Sequence, residues 1–202
     1  MLSISIVVVR KFGPFVQYSW SFSTRFPAQA LIAYPSKYNY RQTINDCAPF
    51  SAAAVIRIAK KEPVGSATIV QQTHWRLPNK HTPPWSLEAV IRNNRIGARG
   101  EVFGHMSDSD RIVWILSHLS QNQPMILLGK KDEALHYMTL VGYTKIGEEF
   151  RFHVYDSWHT KGEGGLTADD NAALPGNRTL TSDELMNFWR EGGLFGMYQW
   201  YA

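Results

Sequence analysis

The single cysteine of this 202-residue sequence stands where a thiol can react. Asn45 and Asp46 are good helix-capping residues and Pro49 suits a first helical turn, so the pattern predicts a helix that begins at Cys47. Backbone N–H groups and the helix dipole at such an end favour a thiolate, and the N–H of Cys47 can bind an oxyanion. The alternative is a small, buried and inert apolar residue.

A thiol nucleophile needs a base, and His136 is the best placed of the seven histidines. It begins an alternating strand pattern directly after a polar turn, which is a frequent position for a site residue. The base needs an acceptor that orients it, and Asp156 ends the next strand pattern. Adjacent antiparallel strands would bring the two side chains together. The alternatives are a surface histidine and an aspartate that only closes a turn.

Two further side chains are candidates for supporting roles. Trp158 follows Asp156 closely, and its indole can shield a His–Asp hydrogen bond from water. Gln42 lies five residues before Cys47, and its side-chain amide can donate a second hydrogen bond to an oxyanion.

Hydrophobic spacing predicts the elements that must position these residues. Apolar and small side chains recur on one helical face over residues 47–58, so we expect a helix that is buried on that side and ends near 60–63. Residues 63–85 and 160–180 are rich in turn formers and predict loops. We further expect helices from Ser86 to Gly97, from Ser107 or Asp108 to Leu119 and from a Thr181–Glu184 capping box to Trp189, and strands over 125–128, 136–143, 150–155 and 194–201.

Helices followed by a mostly antiparallel sheet predict an α+β fold. We treat residues 39–202 as one domain and residues 1–38 as an N-terminal extension of unknown role. The apolar start of the chain is short and its basic residues, Arg10 and Lys11, follow it, which is the wrong order for a secretory signal and favours the cytoplasm. Since no apolar run reaches about 18 residues, we expect no membrane-spanning segment.

The composition excludes several other classes of protein. Hydrophobic residues make up 44% and charged residues 19% of the chain, as in an ordinary folded domain. The net charge of +4 is scattered, so nucleic acid is not an expected partner. There is no His-Glu-x-x-His pattern, no glycine-rich phosphate motif and one cysteine, so we expect no metal and no cofactor.

Four stretches occur in chain order: QTINDCAPFSAA (42–53), QPMILL (123–128), HYMTLVGY (136–143) and YDSW (155–158). Together they resemble the bacteriocin-processing (double-glycine leader) peptidase family and its stand-alone relatives, which are papain-like cysteine peptidases. Asp156-Ser157-Trp158, in the fourth stretch, is also similar to the Asn-Ser-Trp segment of papain. The resemblance covers roughly residues 38–198.

This resemblance implies a papain-like fold in which the helix that begins at Cys47 packs on a sheet carrying His136 and Asp156. It implies a cysteine peptidase acting on a peptide or protein, with Cys47 as nucleophile, His136 as base and acid, Asp156 as orienting group and Gln42 supporting the oxyanion. Two positions depart from the pattern. Ala48 stands where the family commonly has glycine, and Gln42 is one residue nearer the cysteine than is usual in papain-like enzymes.

Two other functions stay open at the level of sequence. The same thioester can pass its acyl group to an amine, which would make the protein an acyl or amide transferase or a deamidase. A papain-like scaffold can also serve as a non-catalytic binding module, although the presence of all three triad residue types argues against it. The sequence does not indicate an oligomeric state.

Overall fold

The computed structural model describes residues 26–102, 106–191 and 198–201. A short 3-10 turn at Ser36–Tyr38 precedes the first helix. The described helices are α1 (Cys47–Lys60), α2 (Ser66–Gln72), α3 (Pro84–Asn93), α4 (Asp108–Ser120) and α5 (Ser182–Glu191). The described strands are β1 (Gln29–Leu31), β2 (Arg99–Val102), β3 (Met125–Lys131), β4 (Ala134–Ile146), β5 (Glu149–Tyr155), β6 (Arg178–Thr181) and β7 (Tyr198–Tyr201).

The strands form one sheet in which every described pairing is antiparallel. Its order is β2-β7-β3-β4-β5-β6, and β1 pairs with β4 outside this path. Strand β4 lies between β3 and β5, so it carries the centre of the sheet. With helices in the first half of the chain and an antiparallel sheet in the second, the predicted α+β arrangement is confirmed.

The two faces of the sheet bury different helices because successive side chains on a strand point to opposite sides. On β3, Ile126 and Leu128 join a core cluster with residues of α1 and α3. Met125 and Leu127 face the other way and join a cluster with residues of α4 and α5. Among the described residues, no helix is both long enough and apolar enough to cross a lipid bilayer.

Helix α1 lies against the sheet through small side chains. Ala52, Ala53 and Ala54 are fully buried, which lets the helix backbone approach the strands closely. Two hydrogen bonds of 3.4 Å tie the helix to β4: the Ser51 hydroxyl donates to the Tyr137 carbonyl, and the Thr139 hydroxyl donates to the Ser51 carbonyl. These contacts fix the start of α1 relative to the strand that carries His136.

Residues within 26–38 pack on the same core. Strand β1 pairs with β4, and a Cβ atom added at Gly142 would lie only 2.5 Å from the Ala30 carbonyl oxygen, so the close pairing requires glycine there. Ile32 and Tyr34 are buried, and Arg57 of α1 donates to the Tyr34 hydroxyl at 3.2 Å. The boundary at residue 38 and the role of the extension stay predictions.

Several predicted elements need correction at their ends. Helix α3 begins at Pro84, so Ser86 lies inside its first turn and does not cap it. Helix α2 and strand β6 lie in stretches that were predicted to be loops. The predicted capping box is confirmed, since the Glu184 carboxylate accepts from the Thr181 N–H at 2.7 Å and the Glu184 N–H donates to the Thr181 hydroxyl at 3.0 Å. Part of the predicted last strand, residues 194–197, lies outside the described residues.

Candidate active site

Cys47 is the first residue of α1, as the sequence predicts. Its N–H and that of Ala48 have no intrahelical acceptor, and Pro49 has no N–H, so two backbone donors remain at this helix end. The predicted capping side chain is wrong: Asp46 occupies the N-cap position but makes no cap hydrogen bond. Its carboxylate instead accepts from the Thr43 hydroxyl and pairs with the guanidinium of Arg76 at 2.7 Å.

His136 lies on β4 and is 1% exposed. Its Nε2 atom is 2.8 Å from Oδ1 of Asp156, which follows the last residue of β5 and is fully buried. The expected strand pairing thus brings the two side chains together. Because Nε2 faces Asp156, the other ring nitrogen, Nδ1, remains for Cys47, which lines the same cavity as His136.

The carboxylate of Asp156 is surrounded by hydrogen-bond donors. Besides His136, the backbone N–H of Trp158 donates to Oδ1 at 2.9 Å. Lys131 Nζ at 2.5 Å and Arg178 at 3.0 Å both donate to Oδ2. Sequence reasoning missed these two cations, because Lys131 reaches the site only through the β3–β4 hairpin and Arg178 only through β6.

The backbone around Asp156 is fixed as well. The Asp156 N–H donates to the Asn177 side-chain oxygen at 2.8 Å, and the Asn177 amide donates back to the Asp156 carbonyl at 2.8 Å. Asn177 is buried, so these bonds are shielded from water. Asp156 is therefore held through its main chain and its side chain.

Hydrogen bonding and charge set the ionisation of this pair. Burial alone would lower the pKa of His136, but the hydrogen bond to Asp156 and the hydrogen bond and charge of Cys47 raise it to about 9. Burial alone would raise the pKa of Asp156, but His136 and Lys131 hold it well below its ordinary range. The arrangement therefore favours an imidazolium beside a carboxylate at neutral pH.

Trp158 lies beside the imidazole, where the sequence expects a shield. The ring centroids of Trp158 and His136 are 5.7 Å apart in an edge-on arrangement. Phe188 of α5 approaches the same imidazole edge-on at 6.4 Å. The Trp158 carbonyl also accepts a hydrogen bond from Lys131 at 2.8 Å, so this cation links the tryptophan to Asp156. A shielding role for Trp158 stays a prediction.

Gln42 shares a cavity with Cys47 and His136. Its backbone N–H donates to the Ser157 carbonyl at 2.9 Å, and its side-chain oxygen accepts from the Ser157 hydroxyl at 2.7 Å. With Oε1 occupied in this way, the Nε2 amide of Gln42 is left as the donor of the side chain. Ser157, which sequence reasoning did not select, lies next to Asp156 and therefore orients this amide.

Two cavities meet at Cys47. One has a volume of about 260 Å³ and includes Gln42, His136 and Trp158 in its wall. The other has a volume of about 190 Å³ and an apolar wall that includes Pro83, Trp85, Leu128, Leu135 and Tyr137. Within the described part of the chain, no cluster of three or more His, Cys, Asp or Glu side chains is arranged to hold a metal ion.

No protein-family model matches the chain, and no curated protein matches it in sequence. Among solved structures it is similar to UfSP from C. elegans, a papain-like cysteine protease, with a TM-score of 0.54 and 15% sequence identity. The match covers 86% of this chain and 33% of that one, so this chain spans about a third of the length of UfSP. At this identity the likeness concerns the fold alone, and the chain has an α+β papain-like fold, as predicted.

Proposed function

We propose that this protein is a cysteine peptidase that hydrolyses peptide bonds through a thioester on Cys47. The observation that carries the proposal is the position of the His136 imidazole, which bonds to Asp156 through Nε2 and lines one cavity together with Cys47. A nucleophile within reach of a base, and a base held by a third group, form the arrangement that covalent acyl transfer needs. The papain-like fold and the resemblance of the four sequence stretches support the same reaction.

The reaction proceeds in two steps on this arrangement. The Cys47 thiolate attacks the carbonyl carbon, a carbon–sulfur bond forms, and the carbonyl oxygen becomes an oxyanion. His136 gives its proton to the amine nitrogen as the carbon–nitrogen bond breaks. Water then attacks the thioester while His136 takes its proton, the carbon–sulfur bond breaks, and the acid product leaves with the Cys47 thiolate and the imidazolium restored. Asp156 stays ionised and orients the imidazole throughout.

The oxyanion needs donors that are already aimed at it. We assign this role to the backbone N–H of Cys47 and the Nε2 amide of Gln42, which Ser157 keeps oriented. Losing one such donor costs roughly 3 kcal/mol in transition-state stabilisation by precedent. The substrate is a peptide or protein; a link to leader peptides with glycines at the cleavage site rests on the sequence resemblance alone.

Alkylation of Cys47 by iodoacetamide at pH 6 tests the proposal without knowledge of the substrate. An ordinary thiol is largely protonated at that pH, so we expect the protein to react at least about tenfold faster than a free thiol of ordinary pKa. The His136→Asn variant should lose this advantage, whereas His74→Asn, which alters an exposed histidine outside both cavities, should keep it. Equal rates for the protein and its His136→Asn variant would contradict the proposal.

Mass spectrometry of a peptide mixture then separates the alternative functions. Hydrolysis gives new peptide termini, and these products should disappear in Cys47→Ala. If added amines appear in the products in place of water, the protein is an acyl transferase. If peptides bind but stay intact although Cys47 is readily alkylated, the scaffold acts as a binding module.

A further inference from the structure

The cavity that contains Cys47 and His136 has a basic wall. Arg41 and His81 line it together with His136, whereas its described lining residues include no carboxylate. A cleft lined by charges of one sign concentrates ligands of the opposite sign. The described lining of the neighbouring 190 Å³ cavity includes no lysine or arginine, so the charge of Arg41 lies on one side of Cys47.

Two carboxylates beside Cys47 and His136 are already paired with cations. Asp46, next to Cys47 in the chain, pairs with Arg76 at 2.7 Å. Asp156 receives the charged donors Lys131 and Arg178 in addition to His136. Neither carboxylate therefore offsets the positive charge of the cavity wall.

Arg41 is the permanent cation of this wall. One guanidinium nitrogen donates to the His159 carbonyl at 2.6 Å, which anchors the side chain. Within residues 26–102, 106–191 and 198–201, no carboxylate pairs with Arg41. A guanidinium presents five N–H donors in a planar fork that matches a carboxylate, and most of these donors remain available here.

The chemistry assigns the two cavities to the two halves of a substrate. His136 must protonate the leaving amine, so the leaving half lies in the cavity that His136 lines, which is also the cavity of Arg41. The acyl half then extends toward the apolar cavity, which shares Cys47, His81 and Leu135 with the first but does not include His136 or Arg41.

We propose that the leaving-group side of this cleft binds a carboxylate of the substrate through Arg41. The carboxylate belongs either to an acidic side chain shortly after the scissile bond or to the C-terminus of a short leaving peptide. This assignment rests on the proposed function for the direction of the substrate. The positive charge beside Cys47 does not depend on it, because it follows from Arg41 and from the paired state of the nearby carboxylates.

Two alkylating reagents of similar size test the charge directly. Iodoacetate carries a carboxylate and iodoacetamide does not, and both transfer their carbon to the Cys47 sulfur with loss of iodide. We expect the ratio of their rates to fall by at least about threefold in Arg41→Gln, since a cation in the cleft accelerates the anionic reagent. The Arg41→Lys variant should keep most of the ratio, and Arg95→Gln, which changes an exposed arginine outside both cavities, should leave it unchanged.

The outcomes separate this inference from the proposed function. If both reagents label Cys47 rapidly but the rate ratio is the same in Arg41→Gln, the carboxylate site is wrong and the peptidase proposal stands. If neither reagent labels Cys47 faster than an ordinary thiol, both proposals fall. A ratio that falls equally in Arg41→Lys and Arg41→Gln would assign the effect to lost anchoring at His159 and overturn the charge argument.

Two small peptides distinguish the possible sources of the carboxylate. Alanyl-glutamine carries its carboxylate at the C-terminus, whereas N-acetyl-glutamic acid α-amide carries its carboxylate only in the side chain. Each is added as a protectant against alkylation of Cys47 by iodoacetamide. Stronger protection by one of them, lost in Arg41→Gln, identifies the source; protection that is equal in Arg41→Gln and in the unaltered protein overturns the site.

Discussion

Lys131 donates a hydrogen bond of 2.5 Å to Oδ2 of Asp156, while His136 bonds to the other oxygen of the same carboxylate. The carboxylate is fully buried, and Arg178 also contacts Oδ2. An asparagine could also accept a bond from His136, although a weaker one, but it would leave two cations without an anionic partner. The choice of aspartate at this position is therefore tied to Lys131 and Arg178.

We expect Asp156→Asn to destabilise the fold as well as to slow the reaction. Removing one partner of a buried ion pair typically costs about 3 kcal/mol or more, because the remaining charge is left uncompensated. Adding Lys131→Met should restore part of this loss by removing one of the two cations. Urea unfolding of the single and double variants measures both effects, and simple addition of the two single losses in the double variant would contradict the coupling.

The raised pKa of His136 sets an alkaline limit for the reaction. With a pKa of about 9, the imidazolium that protonates the leaving amine persists through neutral pH and is lost as the pH rises through that value. We therefore expect kcat/KM for peptide substrates to fall as the pH rises through about 9. Nitrophenyl esters, whose leaving group needs no proton, should show no such fall at the same pH. A fall in kcat/KM for peptides near pH 6.5, the ordinary pKa of histidine, would contradict the assignment of His136 as the acid.

The free energy of unfolding should depend on pH through Asp156 and His136. The pKa of Asp156 is lowered in the folded state, so its contribution is present above its ordinary value of 3.8 and is lost as the pH falls below it. The pKa of His136 is raised from 6.5 to about 9, so its contribution is complete below 6.5 and is lost as the pH rises through about 9.

The contribution of Asp156 and His136 to the free energy of unfolding should therefore be greatest between about pH 4 and 6.5. It should decline on both sides, because the pKa of Asp156 is lowered and that of His136 is raised in the folded state. Urea titrations across pH measure it. The matched control is His136→Asn, in which the decline on the alkaline side should disappear. A decline of the same size in His136→Asn would assign it to other groups.

Gln42 and Ser157 should act on the same step of the reaction. Removing one oxyanion donor typically lowers kcat by about 10²- to 10³-fold, so we expect a loss of this order in Gln42→Ala. Ser157→Ala keeps the amide but frees its oxygen, so it should lower kcat less and leave KM nearly unchanged. If Ser157→Ala also lowers kcat in a Gln42→Ala background, Ser157 acts through something other than the glutamine.

The position of Cys47 at the start of α1 was predictable because its signals are local. A helix start needs only suitable residues around Asp46 and Pro49 and apolar spacing in the residues that follow, and all of them lie close together in the sequence. The pairing of His136 with Asp156 was predictable for a similar reason, since consecutive strands joined by a short turn tend to be neighbours.

The surroundings of Asp156 were not predictable in this way. Arg178 and Asn177 come from a glycine-rich, polar stretch whose composition indicates a loop, and they reach the site only because β6 adds to the edge of the sheet beside β5. For Asp46 a local signal was misleading. Its residue type predicts a helix cap, but Arg76, about thirty positions away, binds its carboxylate instead. Contacts between distant segments decide both cases.

The start of the described chain should contribute to stability although it lies outside the predicted domain. Strand β1 pairs with β4, and Ile32 and Tyr34 are buried against the core. A protein that begins at residue 39 loses these contacts, and burial of each large apolar side chain contributes roughly 1.5–3 kcal/mol. We therefore expect a clear fall in the urea midpoint for that truncation. A protein that begins at residue 26 keeps β1 and is the matched control. If both truncations unfold at the same urea concentration, the pairing of β1 does not stabilise the fold.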